Sequence, residues 1–222
     1  MLSGSLLPVL ETAAPATPCA GCSASCCREY AVPLTANDVA RIVADQSLDF
    51  WDFVCRWEDR DGLISRGIVP HFRFEDDPEN RFVIGLRPVE SRQLPGTRMC
   101  RFLDEASDSQ GCGNSARCSV YESRPVVCRV FPFRWDSNGR VAVQPGVERG
   151  AEEVAGRPAL CPSRWNLTDE QSEQAAADLE QCREEMAVLR LLAERWNRHP
   201  GPWELFPEFL RIVSARLNLV EA

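Results

Sequence analysis

Four cysteines crowd ten residues near the start of the chain, in the run Cys19-Ala-Gly-Cys22-Ser-Ala-Ser-Cys26-Cys27-Arg28. A short loop of Gly, Ser and Ala lets several sulfur atoms converge, so this spacing suits a chain that folds back on a metal. Adjacent side chains diverge from the backbone, and Cys26 and Cys27 are therefore expected to serve two different centres or two irons of one cluster. The segment predicts a metal site but not what the metal does.

A second group of cysteines lies further along the chain, and its members stand singly rather than in pairs. With the first four, the predicted metal ligands are Cys19, Cys22, Cys26, Cys27, Cys100, Cys118, Cys128 and Cys161. The long gap from Cys27 to Cys100 means that the fold, and not a local knuckle, must bring the two groups together. Cys112, in a loop of Gly, Asn and Ser, is a candidate ninth ligand. Cys55 and Cys182 lie on predicted apolar helix faces and are expected to be core residues.

The types of ligand restrict the metal. The chain has 11 cysteines but only 2 histidines, so thiolates dominate any site, and thiolates favour zinc or an iron–sulfur cluster over calcium or magnesium. Structural zinc usually takes its thiolates from two local pairs, and this chain offers one such pair, Cys19 and Cys22. Single ligands scattered around one tight loop suit a cubane cluster. We therefore expect a [4Fe–4S] cluster, with zinc as the alternative and the number of metal centres open.

Composition bears on partners and on cellular compartment. The net charge of −8 disfavours nucleic acid or an anionic membrane as a partner, and no stretch reaches the ~20 apolar residues of a membrane helix. The chain has no lysine, which excludes a Schiff-base enzyme and a P-loop lysine. Residues 1–18 lack the basic start of a signal peptide, and the cysteine count is odd. We expect a cytoplasmic protein with reduced thiols rather than a disulfide-bonded extracellular module, and the sequence names no protein partner.

The elements that must position the cysteines follow from hydrophobic periodicity. Thr35 and Asp38 predict a capped helix over 36–44, and a second helix is expected from Ser47, with Cys55 on its buried side. Alternating polar and apolar residues predict a hairpin with strands near 71–74 and 81–86.

The remainder of the chain reads as one more hairpin followed by helices. The hairpin is expected at 133–143, where Asn138-Gly139 supplies the turn. The capping box Thr168-Asp169-Glu170-Gln171 begins a helix that ends before Pro200, and a last helix is expected over about 207–219. The predicted fold class is α+β: a small cysteine-rich metal-binding core with β-hairpins, flanking helices and a C-terminal helical pair. Its expected divisions are a flexible lead over 1–18, a metal-binding domain over 19–165 and a helical extension over 166–222.

The cysteine motifs resemble those of the CxxCxxCC cysteine-cluster family (YkgJ type), described as a zinc- or iron-chelating domain with eight cysteines. The matching stretches are Cys19-xx-Cys22-xxx-Cys26-Cys27-Arg28, Cys100-x-Phe-Leu-Asp and Cys118-x-Val-Tyr-Glu-x-Arg-Pro-xx-Cys128-Arg-x-Phe-Pro-Phe. This chain has three residues, rather than two, before its Cys-Cys pair. The resemblance covers about 19–165 and implies metal chelation. A similar cluster domain in bacterial flagellin lysine-N-methylases implies, as the alternative, a methyltransferase-like enzyme.

Four residues beside the cysteine motifs are predicted to support the metal site without binding the metal: Arg28, Tyr121, Arg124 and Arg129. Clustered thiolates leave net negative charge, which nearby guanidinium groups would offset through N–H···S contacts. The alternative is that one of these arginines binds an anionic ligand beside the metal. Tyr121 is expected to pack under the site, and the sequence identifies no catalytic residue.

Overall fold

The computed structural model of the chain describes residues 24–105, 116–145, 147, 165 and 167–218. The helices are α1 (Ser25–Glu29), α2 (Ala36–Gln46), α3 (Phe50–Phe53), α4 (Val126–Val130), α5 (Asp169–Arg198) and α6 (Phe206–Asn218), with a 3-10 turn at Trp203–Leu205. Among these residues, no helix is both long enough and apolar enough to cross a membrane.

The strands are short and pair in antiparallel fashion. They are β1 (Val54–Glu58), β2 (Phe72–Phe74), β3 (Asp77–Leu86), β4 (Pro88–Glu90), β5 (Arg98–Cys100), β6 (Leu103–Glu105), β7 (Ala116–Cys118), β8 (Phe133–Trp135) and β9 (Val141–Val143). β3 is the centre of a three-stranded sheet, with β1 on one side and β2 on the other. The remaining strands form three separate pairs, β4–β5, β6–β7 and β8–β9. Helices combined with small antiparallel sheets confirm the predicted α+β class.

Most of the predicted elements are present. The side chains of Thr35 and Asp38 form the expected capping box at the start of α2, and Thr168 and Gln171 form the one at the start of α5. Both hairpins occur, and Gly139 has a φ of 71° in the second, as a turn of this kind requires. α5 ends at Arg198, before Pro200.

The prediction of a long helix from Ser47 is wrong. Only Phe50–Phe53 is helical, and the chain then enters β1, where Val54 pairs with Leu86 and Glu58 with Phe82. The aromatic and β-branched residues of this stretch suit a strand as well as a helix, and pairing along β3 decides between the two. Cys55 is therefore a partly buried strand residue whose thiol donates to the carbonyl of Leu86 at 3.5 Å, not a helix residue.

A cluster of aromatic rings joins the first hairpin to the C-terminal helices. The ring of Phe74 lies 5.7 Å from that of Trp196 and 5.4 Å from that of Phe206, in the tilted and edge-on arrangements that aromatic pairs prefer. The indole N–H of Trp196 also donates to the carbonyl of Arg73 at 2.6 Å. Because these buried residues belong to the same core as the sheet, α5 and α6 are part of one hydrophobic core with β1–β3.

A buried polar network ties α2 to α4 and α5. The carboxylate of Asp38, which is fully buried, accepts the backbone N–H of Val126 at 2.8 Å and pairs with Arg41. Arg41 also pairs with the buried Glu185 of α5 at 2.8 Å, and Glu185 accepts the hydroxyl of Thr35. Val126 is the first residue of α4, so this network fixes the helix that carries Cys128.

Removing the charge of Glu185 tests this network. In Glu185→Gln the guanidinium of Arg41 loses one of its two carboxylate partners while remaining half-buried, so we expect the free energy of unfolding to fall by about 2 kcal/mol. The matched control is Glu184→Gln, because Glu184 is the exposed neighbour on the same helix and should change stability by less than about 0.5 kcal/mol. Urea unfolding at neutral pH compares the two variants, and equal losses would contradict the assignment.

Candidate metal centre

A cavity of about 320 Å³ lies where α1, α4, β5 and β7 meet, and we call it the cysteine cavity. Five cysteines line it: Cys26, Cys27, Cys100, Cys118 and Cys128. The rest of its wall is mainly apolar and includes Val32, Leu86, Phe102, Val120 and Phe131. The structure thus brings together five of the eight cysteines predicted as ligands, from segments far apart in the sequence.

The five thiols come from four elements, two short helices and two strands. Cys26 and Cys27 lie on α1, whose residues contact β5, the strand that ends at Cys100. Cys118 ends β7, where it pairs with Leu103 of β6. Cys128 lies within α4, a single helical turn whose first residue is held by Asp38.

Cys26 and Cys27 are adjacent in the chain, and both residues line the same cavity. The single turn of α1 explains this, since a helical backbone brings neighbouring side chains closer in direction than an extended one does.

Burial and mutual proximity keep the thiols protonated. Burial raises the pKa of Cys128 well above its ordinary value, and the nearby thiols of Cys100 and Cys26 raise it further. Burial also raises the pKa of Cys100 to about 11. The hydrogen bond from Cys27, followed by burial, raises the pKa of Cys26. These thiols are therefore neutral without a metal, and binding a metal must release their protons.

The wall of the cavity depends on a close crossing of the backbone. Residues 32–34 run beside β3, with the N–H of Leu86 donating to the carbonyl of Val32 at 2.8 Å and the N–H of Leu34 to that of Ile84 at 3.0 Å. Gly85 lies at this crossing, where an added Cβ would be 2.6 Å from the carbonyl oxygen of Val32. Only glycine allows the two segments to approach so closely here, and both Val32 and Leu86 line the cavity.

The four predicted supporting residues occupy different positions. Arg124 and Tyr121 line the cavity, and the guanidinium of Arg124 lies 4.1 Å from the centre of the Tyr121 ring. The Nε of Arg124 is buried and has no hydrogen-bond partner among the residues that the structure describes. Burial raises the pKa of Cys118, and the positive charge of Arg124 partly opposes that rise.

Arg28 and Arg129 lie outside the lining of the cavity. Arg28 forms an ion pair with Glu105 at 2.5 Å and donates to Ser91 at 3.0 Å. Arg129 faces α5, where its Nη1 lies 3.8 Å from the carboxylate of Asp178. Arg28 therefore fixes α1, which carries Cys26 and Cys27, and Arg129 lies between α4 and α5.

Three of the predicted ligands, Cys19, Cys22 and Cys161, and the candidate ninth, Cys112, lie outside the described residues. Within the part of the chain that is described, no three Cys, His, Asp or Glu side chains are grouped closely enough to hold one metal ion. Cys182 is partly buried and packs against the main core.

Sequence reasoning missed the other residues that shape the cavity. Tyr30 and Phe131 both line it, with ring centres 6.1 Å apart. Glu105 accepts the backbone N–H of Arg92, in the turn between β4 and β5. Phe131 belongs to the motif Cys128-Arg-x-Phe-Pro-Phe, so its position in the motif was a usable signal. Glu105 follows the motif Cys100-x-Phe-Leu-Asp directly, but a single acidic residue at a strand end gives no signal of its own.

Comparison with known proteins identifies the family. A model of the family CxxCxxCC, described as "putative zinc- or iron-chelating domain", matches residues 18–183. The chain belongs to the CxxCxxCC family. The match extends from the N-terminal cysteine run through the cysteine cavity and into the first half of α5, and it makes zinc or iron the metal to be expected. No curated protein and no solved structure matches the chain.

Substituting Gly85 tests whether the backbone crossing shapes the centre. Gly85→Ala places a methyl group against the carbonyl of Val32 and the Trp57 ring, so we expect a loss of about 1–3 kcal/mol in unfolding free energy and a lower metal content. Thermal unfolding and elemental analysis of the purified variant measure both. A variant with the stability and metal content of the parent protein would contradict this role for the crossing.

Proposed function

We propose that this protein binds a [4Fe–4S] cluster in the cysteine cavity, through the thiolates of Cys26, Cys100, Cys118 and Cys128. The observation that carries the proposal is the convergence of these four thiols, from α1, β5, β7 and α4, on one mainly apolar cavity. A cubane cluster takes one thiolate for each iron, and Cys₄ ligation is its usual form. When bound, the cluster would supply one-electron redox chemistry or structural cross-linking of the four elements.

The size of the cavity favours a cluster over a single zinc ion. Four thiolates around zinc lie about 2.3 Å from the metal, so their sulfur atoms stand within ~4 Å of each other and leave no room between them. The described thiols instead line part of a cavity of about 320 Å³. A single water occupies roughly 30 Å³ in the liquid, which makes this volume the size of a polyatomic group.

The other cysteines of the family motif remain candidate ligands. Cys27 lines the same cavity beside Cys26, and we propose that it joins Cys19, Cys22 and Cys161 in a second set of thiolates. The iron content separates the possibilities, because one cluster gives about four irons per chain and two give about eight.

A cluster without an open coordination position supports a structural, redox or sensing role, which we propose for the cytoplasm, where thiols stay reduced. Four thiolates for four irons leave no coordination position open. The alternative is a methyltransferase-like enzyme, which would need an open position or a bound methyl donor. The buried Nε of Arg124 is the feature that favours this alternative, since it could hold an anionic group of a second ligand.

Anaerobic purification tests the proposal directly. We expect a brown protein with a broad absorption near 400 nm, iron and acid-labile sulfide in equal amounts, and little zinc; ~400 nm is the usual region for thiolate-to-iron charge transfer in such clusters. A colourless protein with stoichiometric zinc would overturn the cluster and leave the thiolate site. A protein without either metal would overturn the proposed function. Isothermal titration with S-adenosylmethionine then tests the enzyme alternative, and we expect no binding.

Substitution of a ligand should affect metal and stability together. In Cys118→Ser the hydroxyl is a poor ligand for soft metals, so we expect most of the bound metal to be lost and the unfolding temperature to fall with it. Cys55→Ser and Cys182→Ser are matched controls, because both thiols are partly buried and neither lines the cavity. Metal content close to that of the parent protein in Cys118→Ser would remove Cys118 from the ligand set.

Replacing Arg124 by lysine tests whether its guanidinium donates a hydrogen bond to the cluster. If Nε–H donates to a sulfur of the cluster, it stabilises the more negative reduced state, and Arg124→Lys should lower the reduction potential by roughly 40 mV for each kcal/mol lost. Arg117→Lys is the control, since the side chain of Arg117 is 83% exposed at the rim of the same cavity. Protein-film voltammetry measures both, and identical potentials in the two variants would exclude an N–H···S contact from Arg124.

A further inference from the structure

The carboxylate of Glu105 lies at the junction of three segments that carry or lead to cysteines. Glu105 ends β6, whose Leu103 pairs with Cys118. Its Oε1 accepts the hydroxyl of Ser91 at 2.6 Å and pairs with Nη1 of Arg28 at 2.5 Å. Its Oε2 accepts the backbone N–H of Arg92 at 2.7 Å and that of Gln93 at 3.1 Å.

The donors to Glu105 come from two segments that are far apart in the sequence. Arg28 is on α1 and follows Cys27 directly. Ser91, Arg92 and Gln93 form the turn between β4 and β5, and β5 ends at Cys100. Within this turn the hydroxyl of Ser91 also accepts the N–H of Leu94 at 2.9 Å. One carboxylate therefore connects α1, the β4–β5 turn and β6, and through them three of the four thiols proposed to hold the cluster.

The carboxylate of Glu105 and its donor Ser91 are buried, which strengthens the hydrogen bonds between them. The side chain of Glu105 is 1% exposed, and Ser91 is 3% exposed. Burial alone would raise the pKa of Glu105, but the hydrogen bonds from Ser91 and Arg28 outweigh it and lower the pKa to about 2. The group is therefore a carboxylate throughout the physiological pH range, and four donors satisfy its two oxygens.

We propose that Glu105 is a positioning residue for the metal centre: it holds α1 against the β4–β5 turn and β6, and so sets the distances of Cys26 and Cys27 from Cys100 and Cys118. The inference rests on the proposed function and adds to it a residue that touches no metal. Residues that orient metal ligands from outside commonly change metal affinity by about 10- to 100-fold when they are replaced.

The contact could instead serve only to stabilise the fold, and the two roles have different signatures. A purely structural contact stabilises the metal-free and the metal-loaded protein alike, so its loss leaves the metal-induced gain in stability unchanged. A positioning contact raises the affinity of the folded protein for the metal, so its loss reduces the metal-induced gain in stability. The difference between the unfolding midpoints of the loaded and the metal-free protein is therefore the deciding quantity.

The experiment compares Glu105→Gln with Asp104→Asn, each as the full chain purified anaerobically and then split into loaded and chelator-treated samples. Gln keeps the shape of Glu105 but loses the charge that pairs with Arg28. Asp104 is the neighbour on β6, with a side chain that is 46% exposed, and it serves as the control. We expect Glu105→Gln to release iron to a chelator about 10- to 100-fold faster than the parent protein and to show a smaller metal-induced shift of the unfolding midpoint, with Asp104→Asn unchanged.

Parent-like iron release in Glu105→Gln, or a full metal-induced shift, would overturn the inference while leaving the cluster in place. If the parent protein itself holds no metal, the proposed function fails and the inference with it. Should Glu105→Gln not fold, Ser91→Ala removes one of the four donors, and the same two measurements apply. Slow iron release in the double variant Arg28→Gln/Glu105→Gln would also overturn the inference, because the centre would then hold its metal without this ion pair.

Discussion

Thiols gathered in an apolar cavity are stable only as neutral groups or as metal ligands, and the rest of this structure depends on that constraint. Burial and mutual proximity raise the pKa values of Cys26, Cys100 and Cys128, so the metal-free cavity holds protonated sulfur. Once the protons leave, several negative charges occupy a space with few polar groups, and only a cation or cluster offsets them. Buried hydrogen bonds and ion pairs therefore hold distant segments of the chain in place around this cavity.

Two buried carboxylates, those of Asp38 and Glu105, hold the elements that carry these thiols. Asp38 binds the first N–H of α4 and so fixes the turn that carries Cys128, with Arg41 and Glu185 anchoring it to α5. Glu105 connects α1 to the strands beyond it. The two groups do not touch the cavity, yet together they reach elements that hold all four proposed cluster ligands. This arrangement explains why a small centre needs a core that extends into α5.

The sequence predicts the local features of this fold better than its long-range ones. The capping boxes at Thr35 and Thr168 and the turn at Gly139 depend on residues close together in the chain, and they are where the pattern indicates. The helix predicted after Ser47 is wrong because pairing with β3, some thirty residues away, decides between helix and strand there. The set of cysteines was readable from composition and motif, whereas which five share one cavity depends on the fold. The partners of Arg28 and the role of Glu105 were hidden for the same reason, since an ion pair across 77 positions leaves no periodic trace.

The environment of the metal is the most direct test of the central claim. X-ray absorption at the iron and zinc edges of the anaerobically purified protein reports both the ligands of the metal and its nearest metal neighbours. The account predicts iron surrounded by sulfur, with other iron atoms in its next shell, as a cubane cluster requires. Zinc surrounded by four sulfur atoms with no metal neighbour would contradict it.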